Sequence, residues 1–501
     1  MLTIVVAIPL AVLVRHLISP AYDPREPPVI KPKIPLIGHI ISIATEASGY
    51  YQRLFKKYRL PICTLPVLNY KIYVINSPAL IAAAQRSKTL SFEVFIRHFF
   101  INVIGVPQRE SAKFADPKWL ATVSKPLAAG LSGESLREIA AVGLGGIARE
   151  LNAVTGEKGV RIGDVEGWLT DMLSRVIMRA LYGEKNPLSV EVHRSIWEFD
   201  KKIFLIALGL APKLFARKAL AARDEIQKVL APFYLNRLDE GEDVSAYVRN
   251  RAATKRATGT PSEDLAATEF DVAWASVTNT TPTMIWTFVS IFSRPDVVER
   301  IRTEVLSVTT IDNNTATIDY SRLQEQPFLN ACWQEILRLY NDGQGTRFVI
   351  EDTVLRDADG QEYLLKKGAV ALWTVGVSHL NDDIWGADAH EFRPERWLGL
   401  SPAEEKKQKG AMFPFGGGKH LCPGRMFAAI EIIGFVGAVA LAFEVEDVTV
   451  PEMLTPYPGA GVRRWKWGPG GPGEVRLRRR KGWETMEIKF STEGGIWDNS
   501  K

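Results

Sequence analysis

The sequence predicts a mainly α protein with small β-sheets, arranged as one large domain behind an N-terminal membrane anchor. Long segments carry apolar residues at intervals of three and four, which is the periodicity of a helix with one buried face. Segments rich in β-forming residues are short and few, and no polar linker divides the 501 residues. The helical segments are Ser135 to Leu151, Val165 to Tyr182 and Asp296 to Thr310, and the β-rich segments are Tyr70 to Ile75, Phe348 to Leu355 and Ala369 to Val375.

The first 20 residues predict an uncleaved membrane anchor. Leu2 to Val14 are apolar apart from Thr3, and Arg15 follows at the position expected for positive charge on the cytosolic side. A cleavable signal would have a positively charged start and a small-residue cleavage site, and neither is evident. The apolar run is shorter than the roughly 20 residues of a spanning helix, so a buried or interfacial helix is the alternative.

The segments next to the two ends of the large domain have distinct compositions. Residues 21–38 contain five prolines and predict a stiff, extended hinge. Residues 481–501 show no clear pattern and predict a loosely ordered tail. A second apolar run, Met426 to Phe443, directly follows a cysteine-containing loop, and we interpret it as a buried core helix rather than a membrane span.

Cysteine usage and charge exclude two classes of protein. The three cysteines Cys63, Cys332 and Cys422 are too few for a disulfide framework, which favours a reducing, cytosol-facing location. The net charge of +5 is spread along the chain, without the clustered basic face of a nucleic-acid-binding protein.

The loop from Phe413 to Arg425 is the most informative segment. Three consecutive glycines, Gly416 to Gly418, permit positive φ and a close backbone approach to a flat ligand. Cys422 lies just before a helix predicted to begin near Pro423, and helix N–H groups favour a thiolate by lowering the thiol pKa. A thiolate of this kind is a metal ligand. The alternative is a glycine-rich turn with a buried structural cysteine.

This loop matches Phe-x-x-Gly-x-(His/Arg)-x-Cys-x-Gly and resembles the cysteine loop of the cytochrome P-450 family of haem-thiolate monooxygenases. The resemblance covers roughly residues 30 to 480 and implies the P-450 fold, with residues 39–480 as the haem-binding catalytic domain. It also implies that Cys422 is the axial ligand of haem b. The other cofactor-binding residues that it implies are Phe415, Gly416, Lys419, His420, Gly424, Arg425, Arg347 and His379.

Two further motifs resemble the same family. Glu335 and Arg338 form an E-x-x-R pair on one helix face, and Arg396 lies in a segment similar to the family's Pro-Glu-Arg-Phe. The resemblance implies a buried network of these three residues, since buried charges need partners. One departure concerns the family's Trp-x-x-x-Arg motif, because Val123 follows Trp119 at the arginine position and Lys125 is the nearest cation.

The stretch from Ala275 to Pro282 corresponds to the family's oxygen-activation helix. Thr278 stands where the usual acid lies and Asn279 where the usual alcohol lies, a pattern similar to the branch of bile-acid sterol hydroxylases and prostacyclin synthase. Pro282 has no N–H, so the Thr278 carbonyl loses its helical partner and a kink is predicted. We predict that Thr278, Asn279 and Thr280 handle protons. The alternative is that these residues only shape the kink.

The resemblance implies a fungal, microsomal monooxygenase that inserts one oxygen atom from O2 into a sterol, terpenoid or other lipophilic secondary metabolite. Electrons would come from NADPH through a flavoprotein reductase, docked at the basic run 406–409. The implied location is the endoplasmic reticulum membrane, with the catalytic domain facing the cytosol. The predicted substrate pocket includes Phe95, Phe99, Phe100, Trp274 and Val277.

Because the usual acid–alcohol pair is missing, two alternatives stay open. One is a redox-neutral isomerase or dehydratase that rearranges a peroxide without a reductase. The other is a haem protein that binds ligands without turnover.

Overall fold

The structure, a computed structural model, describes residues 22–32, 34, 38–67, 70–155, 159–209, 211–454, 461–469 and 471–494. The predicted membrane anchor at residues 1–20 lies outside this part of the chain. The mainly α fold with small sheets is confirmed.

The α-helices are α1 Gly38–Glu46, α2 Ser48–Tyr58, α3 Pro78–Arg86, α4 Glu93–His98, α5 Pro117–Ala129, α6 Gly133–Asn152, α7 Val165–Tyr182, α8 Val190–Asp200, α9 Ile203–Leu208, α10 Pro212–Phe215, α11 Arg217–Leu235, α12 Ala246–Ala257, α13 Ser262–Thr268, α14 Phe270–Thr278, α15 Thr280–Phe292, α16 Pro295–Ser307, α17 Tyr320–Leu323, α18 Pro327–Tyr340, α19 Val375–His379, α20 Asp382–Trp385, α21 Pro402–Gly410 and α22 Arg425–Ala442.

The strands are β1 Ile62–Val67, β2 Tyr70–Ile75, β3 Leu90–Ser91, β4 Val160–Ile162, β5 Thr309–Asp312, β6 Thr315–Asp319, β7 Gln344–Val349, β8 Thr353–Arg356, β9 Glu362–Leu365, β10 Val370–Thr374, β11 Phe443–Glu446, β12 Glu452–Met453, β13 Trp465–Lys466, β14 Val475–Arg479 and β15 Glu487–Ser491. A π-helix, Phe99–Ile104, follows α4, and short 3-10 turns occupy Lys113–Ala115, Leu238–Glu240, Pro394–Trp397 and Gly418–His420.

The described part of the proline-rich hinge is attached to the first sheet. The Glu26 carboxylate is buried and accepts hydrogen bonds from Lys71 Nζ at 2.7 Å and Tyr73 Oη at 2.6 Å. The Ile30 N–H donates to the Thr64 carbonyl at 3.0 Å, which adds the hinge to the edge of β1. The hinge therefore has a fixed direction where it leaves the domain.

The largest sheet carries residues that reach the site. Its strand order is β1-β2-β10-β7-β3, in which β10 runs parallel to β2 and antiparallel to β7. Gly345 on β7 pairs with Trp373 on β10, and a Cβ on this glycine would overlap the Trp373 indole. The glycine thus gives the tryptophan ring its space beside the site.

Helix α22 confirms the interpretation of the second apolar run as a core helix. Its mean hydropathy is 1.9, and among the described residues it is the one helix long and apolar enough to span a membrane. However, 89% of that stretch is buried inside the protein. A helix that is apolar on all sides is here surrounded by other helices rather than by lipid.

The prediction of a loosely ordered tail is wrong for residues 481–494. Strand β15 pairs in parallel with β6, and Ile488 on it is fully buried. Asn152 on α6 receives the Ile488 N–H at 3.0 Å and donates to its carbonyl at 2.9 Å. The order of this segment comes from pairing with residues far away in the chain, which local periodicity does not reveal.

We expect Ile488→Ala to lower the stability of the domain, because it leaves a cavity under β15. Loss of a buried isoleucine side chain costs roughly 2–5 kcal/mol. Lys489→Ala is the matched control, since that neighbouring side chain on the same strand is exposed. Thermal unfolding should show a clearly lower midpoint for the first variant only. Equal midpoints for the two variants would contradict the buried position of β15.

Candidate active site

Glycine conformations shape the loop that carries Cys422. Gly416 and Gly418 have φ of +75° and +62°, which residues with side chains rarely adopt. Between them, Gly417 lies so close to the carboxamide of Gln85 that a Cβ would overlap it. The three glycines therefore supply both the positive φ and the close approach that the sequence predicts.

The surroundings of the Cys422 thiol include donors that favour its charged form. The helix after it begins at Arg425, two residues later than predicted. The N–H groups of Gly424 and Arg425 point toward the sulfur, but burial outweighs them and raises the pKa of the Cys422 thiol. The local N–H donors lower the pKa of the Cys422 thiol as predicted, but the net shift of this pKa is opposite to the prediction. A coordinating thiol is deprotonated by its metal, and the same N–H groups then donate to the thiolate.

A cavity of about 380 Å³ borders the cysteine loop and the junction of α14 and α15. Of the residues that the resemblance assigns to the cofactor, Phe415, Gly416, Cys422 and Gly424 line it. Its apolar wall also includes Leu131, Leu181, Val272, Phe427, Ile432 and Val462, and its polar wall includes Tyr247, Asp271, Asn279, Thr280, Thr283, Asn341 and Gln344.

Lys419, His420 and Arg425, the other loop residues that the resemblance assigns to the cofactor, do not line the cavity. Lys419 forms a surface ion pair with Glu93 at 2.6 Å, and its contact with a cofactor stays a prediction. Arg425 donates from Nη1 to the Cys422 carbonyl at 3.2 Å. These contacts stabilise the loop itself.

Arg347 and His420 form a polar corner next to the loop, in which Arg347 carries the positive charge. Arg347 is buried on β7, with its guanidinium 5.1 Å from the Phe92 ring centroid, and His420 lies 4.9 Å from the same ring. Burial, followed by the charges of Arg347 and Lys419, lowers the pKa of His420 to about 4. Among the described residues no carboxylate pairs with Arg347, and His420 Nε2 is buried without a partner. The corner is suited to an anionic group of a ligand.

The predicted network of three charged residues is present. Glu335 and Arg338 are both fully buried, with Arg338 Nη2 2.7 Å from Glu335 Oε1. Arg396 Nε approaches the same oxygen at 3.3 Å, and Trp397 Nε1 donates to the other oxygen at 2.9 Å. The sequence motif identified the three ionic members, but it did not reveal the tryptophan.

His379 is a buried ring between α18 and the cysteine loop, and its contact with a cofactor stays a prediction. Its Nδ1 donates to the Arg338 carbonyl at 3.2 Å, and its Nε2 accepts the Phe413 N–H at 3.0 Å. Burial, reinforced by the charge of Arg338, lowers the pKa of His379 to about 3. Both ring nitrogens are therefore occupied by backbone groups, and the neutral ring connects α18 to the start of the cysteine loop.

The helix next to the cavity is interrupted as predicted. Helix α14 ends at Thr278 and α15 begins at Thr280, so Asn279 lies between them with φ −108° and ψ −35°. Asn279 and Thr280 line the cavity, whereas Thr278 is buried and does not line it, and a catalytic role of Thr278 stays a prediction. Thr283, which the sequence analysis missed, also lines the cavity and donates from Oγ1 to the Asn279 carbonyl at 2.8 Å.

The aromatic residues predicted for the substrate pocket pack mainly on one another. Phe99 lies 5.5 Å from Trp274, whose Nε1 donates to Asp200 at 3.0 Å, and Phe100 stacks on Phe114 at 4.5 Å. None of the five predicted residues, Phe95, Phe99, Phe100, Trp274 and Val277, lines the cavity at Cys422. Val277 is fully buried in the core. Phe99, Phe100 and Trp274 therefore belong to a packed aromatic layer and not to the wall of this cavity.

Several residues of the cavity wall carry no family motif and were not predicted. Asn341 donates from Nδ2 to the Pro414 carbonyl at 2.9 Å and so joins the end of α18 to the cysteine loop. Trp119, at the departure from the tryptophan–arginine motif, donates to Thr258 Oγ1 at 3.0 Å, and Lys125 is exposed.

A thiol on a glycine-rich loop, beside a largely apolar cavity and a buried ionic network, defines the haem-thiolate class of protein. The family model described as Cytochrome P450 matches residues 27–463. A cytochrome P450 monooxygenase of Gibberella zeae is 33% identical over 95% of this chain and 94% of the relative. The cytochrome P450 monooxygenase nodJ of Hypoxylon pulicicidum is 30% identical, with the same coverage of both chains. The chain belongs to the cytochrome P450 family, and like these fungal relatives it is a monooxygenase.

Two further comparisons, one with a human enzyme and one with a solved structure, are more distant. The human 7-alpha-hydroxycholest-4-en-3-one 12-alpha-hydroxylase is 24% identical over 91% of this chain and 93% of the relative. The solved structure of a retinoic acid bound cyanobacterial CYP120A1 superposes with a TM-score of 0.69 at 18% identity, covering 91% of this chain and 99% of that one. The second comparison shows the cytochrome P450 fold.

The residues present fit the haem that the family implies. Cys422 would hold the haem iron through its sulfur, and Phe415 and Phe427 would offer apolar surface to the ring. Arg347 and the unpartnered His420 Nε2 are suited to the propionates. With an axial thiolate, a haem supplies the electron-rich iron at which O2 is activated.

The buried neutral His379 should make the protein sensitive to acid. In the unfolded chain a histidine takes up a proton below about pH 6.5, whereas folded His379 stays neutral down to a pKa of about 3. Stability is therefore lost as the pH falls through that window. His379→Gln should be less stable at pH 7, and its deficit relative to the wild type should shrink by pH 5 in urea unfolding curves. A deficit that does not change with pH would contradict this role.

Proposed function

We propose that this monooxygenase inserts one oxygen atom from O2 into a lipophilic substrate, using electrons delivered from NADPH by a flavoprotein reductase. The observation that carries the proposal is the arrangement of Cys422 and Asn279 on the wall of one cavity. The part of the cavity at Cys422 binds the cofactor. The helix break at Asn279 offers polar groups where the substrate reacts.

The chain's own residues suit the handling of water and protons on the reacting side. The Asn279 carboxamide donates and accepts hydrogen bonds, but it does not release a proton as an acid does. Thr280 on the same wall supplies a hydroxyl. We propose that these two residues orient a water molecule that carries protons, in place of the family's acid and alcohol.

The substrate class follows from the character of the cavity. Apolar side chains dominate its wall, while Gln344 and Asn341 add hydrogen-bonding groups. Cavities that bind small molecules combine these properties. The human relative is named for a sterol substrate, and a sterol, terpenoid or other secondary metabolite is the class we propose here.

The proposed reductase site is the surface of α21. Lys406, Lys407 and Lys409 are exposed on this helix, which directly precedes the cysteine loop. Positive charge close to the thiolate side would attract an acidic partner and orient it for electron transfer. Lys409 also pairs with Glu405 at 2.6 Å, so the site is not purely basic.

The proposed location at the endoplasmic reticulum membrane is supported by an apolar projection. Leu214 is 72% exposed and Phe215 61% exposed, and both lie on the short helix α10. Lys213 and Arg217 flank them, as is common where apolar side chains enter a headgroup layer beside anionic lipid. We propose that this projection contacts the same bilayer as the N-terminal segment, with the catalytic domain in the cytosol.

The alternative of a redox-neutral isomerase has less support. The named fungal relatives are monooxygenases and the human relative is a hydroxylase. Product formation that requires NADPH and reductase would support monooxygenation. Conversion of a hydroperoxide without reductase would support the isomerase.

Replacing the sulfur tests the cofactor assignment. Cys422→Ser should abolish the red-shifted absorption band of the reduced protein with carbon monoxide, because an alcohol does not provide thiolate ligation. Cys332→Ser is the matched control, since that buried cysteine belongs to the core. A band that survives in the Cys422 variant would overturn the assignment of the ligand.

Replacing Asn279 tests the mechanism. Asn279→Thr restores a hydroxyl at the position of the missing alcohol, so a monooxygenase should tolerate it and release less hydrogen peroxide per NADPH consumed. The measurement uses the haem-loaded protein with reductase and records the ratio of peroxide to NADPH. A raised ratio would contradict the proposed role of this position in proton handling.

A further inference from the structure

Gly461 lies directly against the carboxamide of Asn279. A Cβ built on this glycine would overlap Asn279 Oδ1 and lie 3.2 Å from its Cγ. Gly461 is not among the glycines with positive φ, so its backbone would accept another residue. The glycine is therefore required because a side chain would not fit there, and not because of its backbone conformation. Gly461 and Asn279 both line the cavity at Cys422.

The segment that carries Gly461 is held firmly in place. The Gly461 carbonyl accepts the Asp342 N–H at 3.0 Å, and the Arg463 N–H donates to the Tyr340 carbonyl at 2.8 Å. The Arg463 guanidinium lies 3.2 Å from the Asp342 carboxylate, and both side chains are buried. Trp286 Nε1 adds a hydrogen bond to the Arg463 carbonyl at 2.8 Å. This segment resists displacement away from the cavity.

The backbone of Asn279 is fixed as well. Its carbonyl accepts both the N–H of Thr283 at 3.2 Å and the Thr283 hydroxyl at 2.8 Å. Rotation of the side chain is therefore the easiest way for Asn279 to respond to a larger residue at position 461. That rotation would turn the carboxamide toward the cavity.

We propose that Gly461 is a positioning residue for the reaction, because the space it leaves sets the orientation of the Asn279 carboxamide. The inference rests on the proposed function, in which Asn279 orients the proton-carrying water. It gives a role in proton handling to the segment 461–463 and to its buried Asp342–Arg463 pair. Neither of these two charged groups lines the cavity. Gly461 acts only through Asn279.

The test is a double-mutant cycle read by imidazole binding to the haem-loaded protein, followed in the absorption spectrum. Gly461→Ala should weaken imidazole binding about three- to tenfold, because the displaced carboxamide enters the space beside the iron. In an Asn279→Ala background the same substitution should change the affinity by less than about twofold, since the overlapping atoms are gone. Gly468→Ala, where an added Cβ meets nothing within 4 Å, is the matched control.

Two outcomes would overturn the proposal. One is an unchanged affinity in Gly461→Ala, and the other is an equal effect in both backgrounds. If Gly461→Ala does not retain haem, Asn279→Gln is the second variant. It lengthens the side chain that faces Gly461 instead of adding a Cβ to the glycine, and it should weaken imidazole binding at least about threefold. An unchanged affinity in that variant would also overturn it.

These results are separable from failure of the proposed function. The proposed function fails if Asn279→Ala leaves the ratio of peroxide to NADPH unchanged in the presence of reductase. The positioning role fails if the two substitutions act independently on imidazole binding, whatever that ratio is.

Discussion

The buried charge of Glu335 constrains the structure around the site. One carboxylate inside the protein receives two arginines and an indole, and loss of one partner from such a group costs roughly 3–5 kcal/mol. Arg338 also donates from Nη1 to the His379 carbonyl at 2.9 Å. His379 in turn accepts the N–H of Phe413, where the cysteine loop begins. A continuous series of hydrogen bonds thus connects the ionic network to the loop that presents Cys422.

The opposite wall of the cavity depends on an interrupted helix. Pro282 removes one helical donor, and Thr283 binds the carbonyl of Asn279 with both its N–H and its hydroxyl. The break thereby turns Asn279 toward the cavity while Thr278 stays in the core. The ionic network thus supports the loop that presents Cys422, and the helix break places Asn279 on the wall of the same cavity.

Local motifs predicted the fold and the cysteine wall well, because their chemistry depends on residues close together in the chain. The glycines, Cys422 and the E-x-x-R pair are of this kind. Positions set by long-range packing were not predictable. Nothing local reveals that the Phe413 N–H reaches the ring of His379. Nor does the sequence reveal that Thr278 is buried while Asn279, one residue further along the chain, lines the cavity. Gly461 has no motif, and only the folded structure brings it to Asn279.

The parallel pairing of β15 with β6 has a consequence for biosynthesis. Almost 170 residues separate Asp319 at the end of β6 from Glu487, so β6 leaves the ribosome long before its partner strand does. Until then the edge of β6 is open, and open strand edges invite pairing with other chains. Synthesis of β15 therefore completes the sheet, and a nascent chain that stalls before this strand presents that edge to chaperones and to neighbouring polypeptides.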